Sequence, residues 1–201
     1  YMSFYNKINP LKLYKKVNEY KEQTGKKYDT RSPIKVYEDL KNRDQNIVIT
    51  IGPHYLDKEK LYSLSGISNS KTIFCNESGY YATYKSDRYG FNNPDSEWNK
   101  KDIKYLLVGD SFIHGQCVNR PNDIASVLRP LSKKSALNLG YRGNGPLTEY
   151  ATLREYLKPG VENILWFYFE NSDVYDLDYE LSSEILLNYI KDENFTQNLI
   201  S

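Results

Sequence analysis

Short apolar runs alternate with amphipathic stretches in the second half of the chain. Three of these runs predict buried β-strands, at Ile103 to Gly109, Ser135 to Gly140 and Asn163 to Phe169. Continuous apolar strands are typical of a parallel sheet that is covered on both faces. The stretches with helical spacing lie at Asp123 to Leu131, Pro146 to Leu157 and Leu177 to Lys191. Strands that alternate with helices in this way predict βαβ units and a right-handed parallel sheet.

The first hundred residues have a more polar pattern. A Lys- and Glu-rich helical stretch covers Leu11 to Gly25 with a thin apolar face, and a β-branched run follows at Asn46 to Ile51. Tyr80, Ala82 and Tyr84 alternate with other residues, as in a half-exposed strand. We therefore expect residues 1–100 to form an N-terminal extension of helices and short strands, and residues 101–201 to form an α/β domain.

The charge balance argues against nucleic acid and anionic membranes as main partners. The 201 residues include 27 basic and 26 acidic side chains, for a net charge of +1, whereas such partners require a concentrated basic face. No apolar run approaches the roughly 20 residues that span a bilayer. The 20 tyrosines could stack on sugars or bases, but their abundance alongside Lys, Asn and Ile favours a compositional bias.

Polar and glycine residues follow each of the three predicted strands. The first strand ends in Gly109-Asp110-Ser111, the second in a loop from Asn138 to Pro146, and the third in a segment containing Asn171. The carboxyl ends of parallel strands meet at one edge of the sheet, where functional groups gather. A serine, a glycine loop and an asparagine at one edge suit acyl transfer, because backbone and amide N–H groups can stabilise an oxyanion. Taken singly, each residue is more often a helix cap or a turn residue.

These three blocks resemble those of the SGNH hydrolases, the GDSL-type esterases and lipases. The match runs from about Ile103 to Leu187: Gly-Asp-Ser at 109–111, the N-x-x-x-x-G segment at 138–143, and the asparagine of the third block at Asn171, which here lacks its preceding glycine. The resemblance implies a three-layer α/β/α, flavodoxin-like parallel sheet. It makes Ser111 the nucleophile and an oxyanion donor, and Gly143 and Asn171 the other two donors. Asp110 and Gly109 support the serine.

The family's general base comes from a D-x-x-H block that this sequence does not contain. Its two histidines are His54, in the N-terminal extension, and His114, three residues after Ser111. At that spacing the ring of His114 would lie along the helix rather than across the sheet edge, so neither histidine is favoured as the base. We expect the chain to be a fragment, with two further strands and the base lying beyond Ser201.

The resemblance implies hydrolysis or transfer of small acyl esters, without a metal or an organic cofactor. O-acetyl groups on carbohydrate are the first expectation and short-chain lipid esters the second. The alternative from another class is a non-catalytic module that binds a glycan or a protein. A phosphate-binding flavodoxin-like domain is weaker, because its first loop would be richer in Gly, Ser or Thr than GDSFIHG. For Arg142, within the second block, a surface ion pair is favoured over a contact with the substrate.

The sequence contains two cysteines, Cys75 and Cys117. Neither belongs to a C-x-x-C pair, which argues against a zinc site. They fit two free thiols or one disulfide equally well. In an exported protein a disulfide would hold the N-terminal extension over the edge that carries Ser111. The sequence does not fix the compartment; an exported, periplasmic or cell-envelope protein is the first expectation and a cytoplasmic one the second.

Overall fold

Two three-stranded sheets organise the chain in the computed structural model, which describes residues 10–53 and 61–200. The first sheet contains β1 (Ile47–Ile49), β2 (Lys71–Ile73) and β3 (Thr83–Lys85). Within it β1 and β2 are parallel, and β2 and β3 are antiparallel. Short strands are therefore present in the N-terminal region, as the alternation around Tyr84 predicts.

The second sheet contains the three strands predicted after residue 101. They are β4 (Ile103–Val108), β5 (Ala136–Asn138) and β6 (Val161–Trp166), in the order β5-β4-β6 and parallel throughout. The prediction of a parallel sheet is confirmed for these strands. The third strand is displaced towards the N-terminus, because it starts at Val161 and its last ladder pair joins Trp166 to Val108.

Seven α-helices accompany the sheets within the described residues. Their bounds are α1 Pro10–Thr24, α2 Pro33–Lys41, α3 Ser111–His114, α4 Ile124–Ser132, α5 Pro146–Tyr156, α6 Asp173–Glu180 and α7 Glu184–Lys191. A 3₁₀ helix covers Asp95–Asn99. Between residues 10 and 53 and between 61 and 200, no helix has the length and apolar character required to cross a membrane.

The single helix predicted from Leu177 to Lys191 is wrong, because α6 and α7 are separate helices. The break lies at residues 181–183. Ser183 has an extended backbone and its side chain accepts a hydrogen bond from the Leu186 N–H, so it is the N-cap of a new helix. The apolar spacing continues across the break, which is why periodicity alone did not reveal it.

Side chains of the parallel sheet alternate between two hydrophobic clusters. Leu106 and Leu137 belong to the larger cluster, together with side chains of α5 and α7. Their neighbours Leu107 and Ala136 belong to a second cluster, which includes Ala125 of α4. The larger cluster also contains side chains from before residue 100, namely Tyr62, Leu64, Phe91 and Trp98. Part of the N-terminal region therefore packs directly beneath the parallel sheet.

A disulfide joins Cys75 to Cys117, with their Cα atoms 4.9 Å apart. Of the two alternatives open at the level of sequence, the structure has the bridge rather than the free thiols. Cys75 follows β2 and Cys117 follows α3, which carries Ser111. The bridge thus ties the first sheet to the segment immediately after the candidate nucleophile.

Candidate functional site

Ser111 is the first residue of α3 and lies three residues after Val108, the end of the central strand β4. Asp110 caps this helix, since its carboxylate accepts a hydrogen bond of 2.9 Å from the Phe112 N–H. The Ser111 Oγ lies 3.4 Å from Asp110 Oδ2, and Ser111 is partly exposed. Burial raises the pKa of Asp110, the hydrogen bond from Phe112 opposes that rise, and the nearby charge of Asp173 adds to it. Ser111 therefore stands accessible beside a carboxylate.

Asn138, at the end of β5, connects the glycine loop to α3. Its buried side chain donates a hydrogen bond of 2.6 Å to the Ile113 carbonyl and accepts one of 2.8 Å from the Gly140 N–H. A Cβ atom on Gly140 would lie 2.6 Å from Ile113 Cβ and 2.7 Å from the His114 backbone nitrogen. Glycine is therefore required for the loop to pack this closely against the helix that carries Ser111.

The backbone N–H groups of the glycine loop are nearly all engaged. Gly140 donates to Asn138 Oδ1, Tyr141 to the Gly109 carbonyl, and Arg142 to the His114 ring. Beyond them, Asn144 donates to the Tyr141 carbonyl and Gly145 to Glu180. Within the described part of the chain the N–H of Gly143 has no acceptor, and the residue takes a φ of +76°. Gly143 thus presents an open donor, whereas the N–H of Gly140 is occupied.

His114 is fully buried, which removes it from the role of general base. Its Nδ1 accepts a hydrogen bond of 3.1 Å from the Arg142 N–H, and its Nε2 lies 3.0 Å from the Tyr84 hydroxyl. Because Nδ1 is an acceptor, the ring is neutral and Nε2 carries the proton. Burial lowers the pKa of His114 well below its usual 6.5, and Arg142 lowers it further. His114 holds the glycine loop in place; His54 lies outside the described residues.

Asn171 lies in the turn between β6 and α6, and its side chain is exposed. The turn is closed by Asp173, whose Oδ2 accepts a hydrogen bond of 2.6 Å from the Phe169 N–H and whose own N–H donates to the Phe169 carbonyl. The N-cap of α6 is Ser172 rather than Asn171. The amide of Asn171 is therefore not used as a helix cap.

Buried carboxyl groups near this edge are functional candidates that the sequence interpretation missed. Glu149, in the first turn of α5, is fully buried; its Oε2 accepts a hydrogen bond of 2.5 Å from Trp166 Nε1, and its Oε1 has no partner. Burial chiefly raises the pKa of Glu149 to about 8; the Trp166 bond opposes this, and the charges of Asp173, Asp110 and Glu180 add to it. In sequence, an acidic residue in a first helical turn is an ordinary feature, so no local signal marked Glu149.

Glu180, the last residue of α6, caps the N-terminus of α5. Its Oε1 accepts a hydrogen bond of 2.7 Å from the Gly145 N–H, and its Oε2 accepts one of 2.8 Å from the Leu147 N–H. These contacts join the end of the glycine loop to α6, which begins two residues after Asn171. The second and third blocks are therefore held together by a carboxylate from outside either block.

The described residues include no group of three or more His, Cys, Asp or Glu side chains arranged to hold a metal ion. Arg142 is partly exposed, and the described structure pairs its side chain with no carboxylate. Comparisons with protein-family models, with curated proteins and with solved structures gave no match for this chain. The geometry of the site is therefore the basis for inferring its function.

Proposed function

We propose that this protein is a serine ester hydrolase of the SGNH type, with Ser111 as its nucleophile. The proposal rests on which backbone N–H groups of the glycine loop have a hydrogen-bond acceptor. Gly143, the residue that the resemblance makes an oxyanion donor, is the loop residue whose N–H has no acceptor in the described structure. Open donors beside a nucleophile are what stabilises the negative charge of an acyl-transfer transition state.

In the proposed reaction, Ser111 Oγ attacks the carbonyl carbon of an ester. The negative charge that develops on the carbonyl oxygen is stabilised by the N–H groups of Ser111 and Gly143 and by the amide of Asn171. As the bond between Oγ and the carbonyl carbon forms, the ester C–O bond breaks and the alkoxide leaves with the proton of the Ser111 hydroxyl. Water then hydrolyses the acyl-enzyme, which releases the acid and restores that hydroxyl. Asp110 and Gly109 shape the strand-to-helix turn that presents the serine. His114 contributes by fixing the loop of Gly143 against α3.

The strand order supports the finer architecture, a three-layer flavodoxin-like fold. The order β5-β4-β6 places the first strand of the region between the second and the third, as in the 2-1-3-4-5 order of flavodoxin-like sheets. Ligands in such sheets bind at the switch point between the first and third strands. Ser111 follows the first of these strands and Asn171 follows the third, so both flank the proposed switch point.

Small acyl esters remain the proposed substrates, with O-acetyl groups on carbohydrate first and short-chain lipid esters second. The partly exposed position of Ser111 suits an ester that protrudes from a larger molecule. The disulfide supports an oxidising compartment and therefore an exported protein.

Release of acetate from an acetylated monosaccharide tests the proposal. Ser111→Ala is expected to abolish release, and Asn171→Ala is expected to lower kcat by roughly 100- to 1000-fold, the usual loss for one oxyanion donor. Glu170→Ala, one residue before Asn171 and exposed, is the matched control and should retain activity. Release that survives Ser111→Ala would overturn the assignment of the nucleophile.

The second candidate is a non-catalytic module that binds a glycan or a protein. It is favoured by one observation, the complete burial of His114, which leaves Ser111 without an accessible histidine in the described residues. Acetylated-glycan binding that persists in Ser111→Ala, without acetate release by the unmodified protein, would favour the binding module over the esterase.

A further inference from the structure

A cavity of about 210 Å³ adjoins the glycine loop. Its lining consists of Gly143 and four side chains, those of Tyr62, Asp176, Tyr179 and Glu180. Sites for drug-sized ligands usually measure roughly 300–1,000 Å³, so this cavity has room for one small group rather than for a whole substrate. Because Gly143 is part of the wall, a group in the cavity would be attached close to the reacting carbonyl.

The lining is aromatic and acidic, without an aliphatic or basic side chain among the five residues. Tyr62 and Glu180 are almost completely buried, so they form the fixed part of the wall. Both carboxylate oxygens of Glu180 already accept backbone hydrogen bonds. An alkyl chain would find few apolar contacts here beyond those with the two tyrosines.

Asp176 is the group in the wall that is available to a ligand. It is partly buried, and in the described residues its carboxylate forms no hydrogen bond and no ion pair. Burial raises its pKa, and the like charges of Asp173 and Asp110 raise it further. The surroundings of Asp176 therefore lack a compensating positive charge.

The segment that contributes Asp176, Tyr179 and Glu180 to the wall has the same imbalance. Residues 159–190 contain no lysine or arginine, while their seven acidic residues are Glu162, Glu170, Asp173, Asp176, Asp178, Glu180 and Glu184. An anionic ligand would be repelled by this potential, and a neutral one would gain nothing from it. A cation would gain from the carboxylates, and the two tyrosines of the wall are residues of the kind that form cation–π contacts.

We infer that the cavity receives an ammonium group carried by the ester substrate, with Asp176 as its principal counter-ion. The inference rests on the proposed function of the same site, because Gly143 links the cavity to the reacting carbonyl. The inference adds the charge of the substrate to that function, because the hydrolysed ester is expected to bear a positive charge a few bonds from the carbonyl. The substrate class is therefore an amino- or quaternary-ammonium-bearing ester.

The test compares two probes of equal shape, choline and 3,3-dimethylbutan-1-ol, in which a tert-butyl group replaces the trimethylammonium group. Titrations of the whole chain are followed by NMR at neutral pH and low salt. Choline is expected to bind roughly tenfold more tightly, the ratio that an ion pair and a cation–π contact supply together. Equal affinities, or no detectable binding of choline, would overturn the inference.

Two variants on α6 locate the effect. Asp176→Asn is expected to lower choline affinity at least fivefold, whereas Asp178→Asn, exposed on the same helix and absent from the wall, should leave it unchanged. Equal losses in both variants would show a general charge effect and would refute the role of Asp176. Ser111→Ala should bind choline normally; choline binding can therefore succeed or fail independently of Ser111-dependent acetate release.

Discussion

Burial of His114 makes a quantitative prediction about stability in acid. In the folded protein the ring is enclosed by Tyr84, Tyr141 and Phe74, and its neutral form is held by the Arg142 N–H. Burial keeps its pKa well below 6.5, whereas in the unfolded chain the group titrates near its ordinary value. Below about pH 6.5 the unfolded state binds an additional proton, so the free energy of unfolding falls as the pH decreases.

The expected slope is about 1.4 kcal/mol per pH unit for one proton. Between pH 6.5 and 5.0, a ring that stays neutral in the folded protein gives a loss of about 1.6 kcal/mol from this group. His114→Asn supplies the comparison, because an asparagine oxygen can replace Nδ1 as acceptor for the Arg142 N–H but does not titrate. Carboxyl groups with raised pKa values, such as Asp87 and Asp110, are common to both proteins and cancel in the difference.

Urea unfolding, followed by tryptophan fluorescence at several pH values, measures the effect. The unmodified protein should lose about 1.6 kcal/mol more than His114→Asn over this interval. His114→Gln is a further comparison, since it preserves a partner for Tyr84 but not the acceptor for the loop, and it should reduce activity more than His114→Asn does. Parallel pH dependences in the unmodified protein and His114→Asn would refute the burial argument.

Three further changes test other parts of the structure. Because the pKa of Glu149 in the folded protein is raised to about 8, its contribution to stability should decline as the pH rises from 4.5 to 8. Urea unfolding of Glu149→Gln should lack that decline, and the same pH dependence in both proteins would contradict the prediction. Replacing Cys75 and Cys117 together by serine opens a crosslink with a sequence separation of 42, and should cost about 4 kcal/mol in urea unfolding; an equal stability would argue against the bridge. Ile164→Lys on the exposed edge strand β6 should reduce self-association in light scattering, whereas Leu131→Lys on α4 should not; equal effects would exclude the edge as the cause.

The parallel sheet was predictable because its signals are local. Continuous apolar runs identified β4 and β6 in the correct part of the chain, and Pro146 indicated the start of α5. Contacts between distant segments had no such signal. Glu180 accepts a hydrogen bond from the N–H of Leu147, which lies 33 residues earlier in the chain, and caps the N-terminus of α5. The residues next to Glu180 in the sequence do not indicate this partner. The cavity beside Gly143 likewise depends on α6, which periodicity had merged with the following helix.

The role of the residues before 100 follows from the contacts around Ser111. Asn92 donates a hydrogen bond to the His114 carbonyl, and Asn93 donates one to the Asn138 carbonyl while accepting one from the Asn138 N–H. Together with the Tyr84 hydroxyl, these groups hold both α3 and the end of β5 from beneath. These bonds reach buried backbone groups of the sheet, so this part of the N-terminal region supports the site from within and does not only cover it. We therefore expect the segment containing Tyr84 to Asn93 to be required for the loop geometry, so that residues 101–201 alone would lack an ordered oxyanion site.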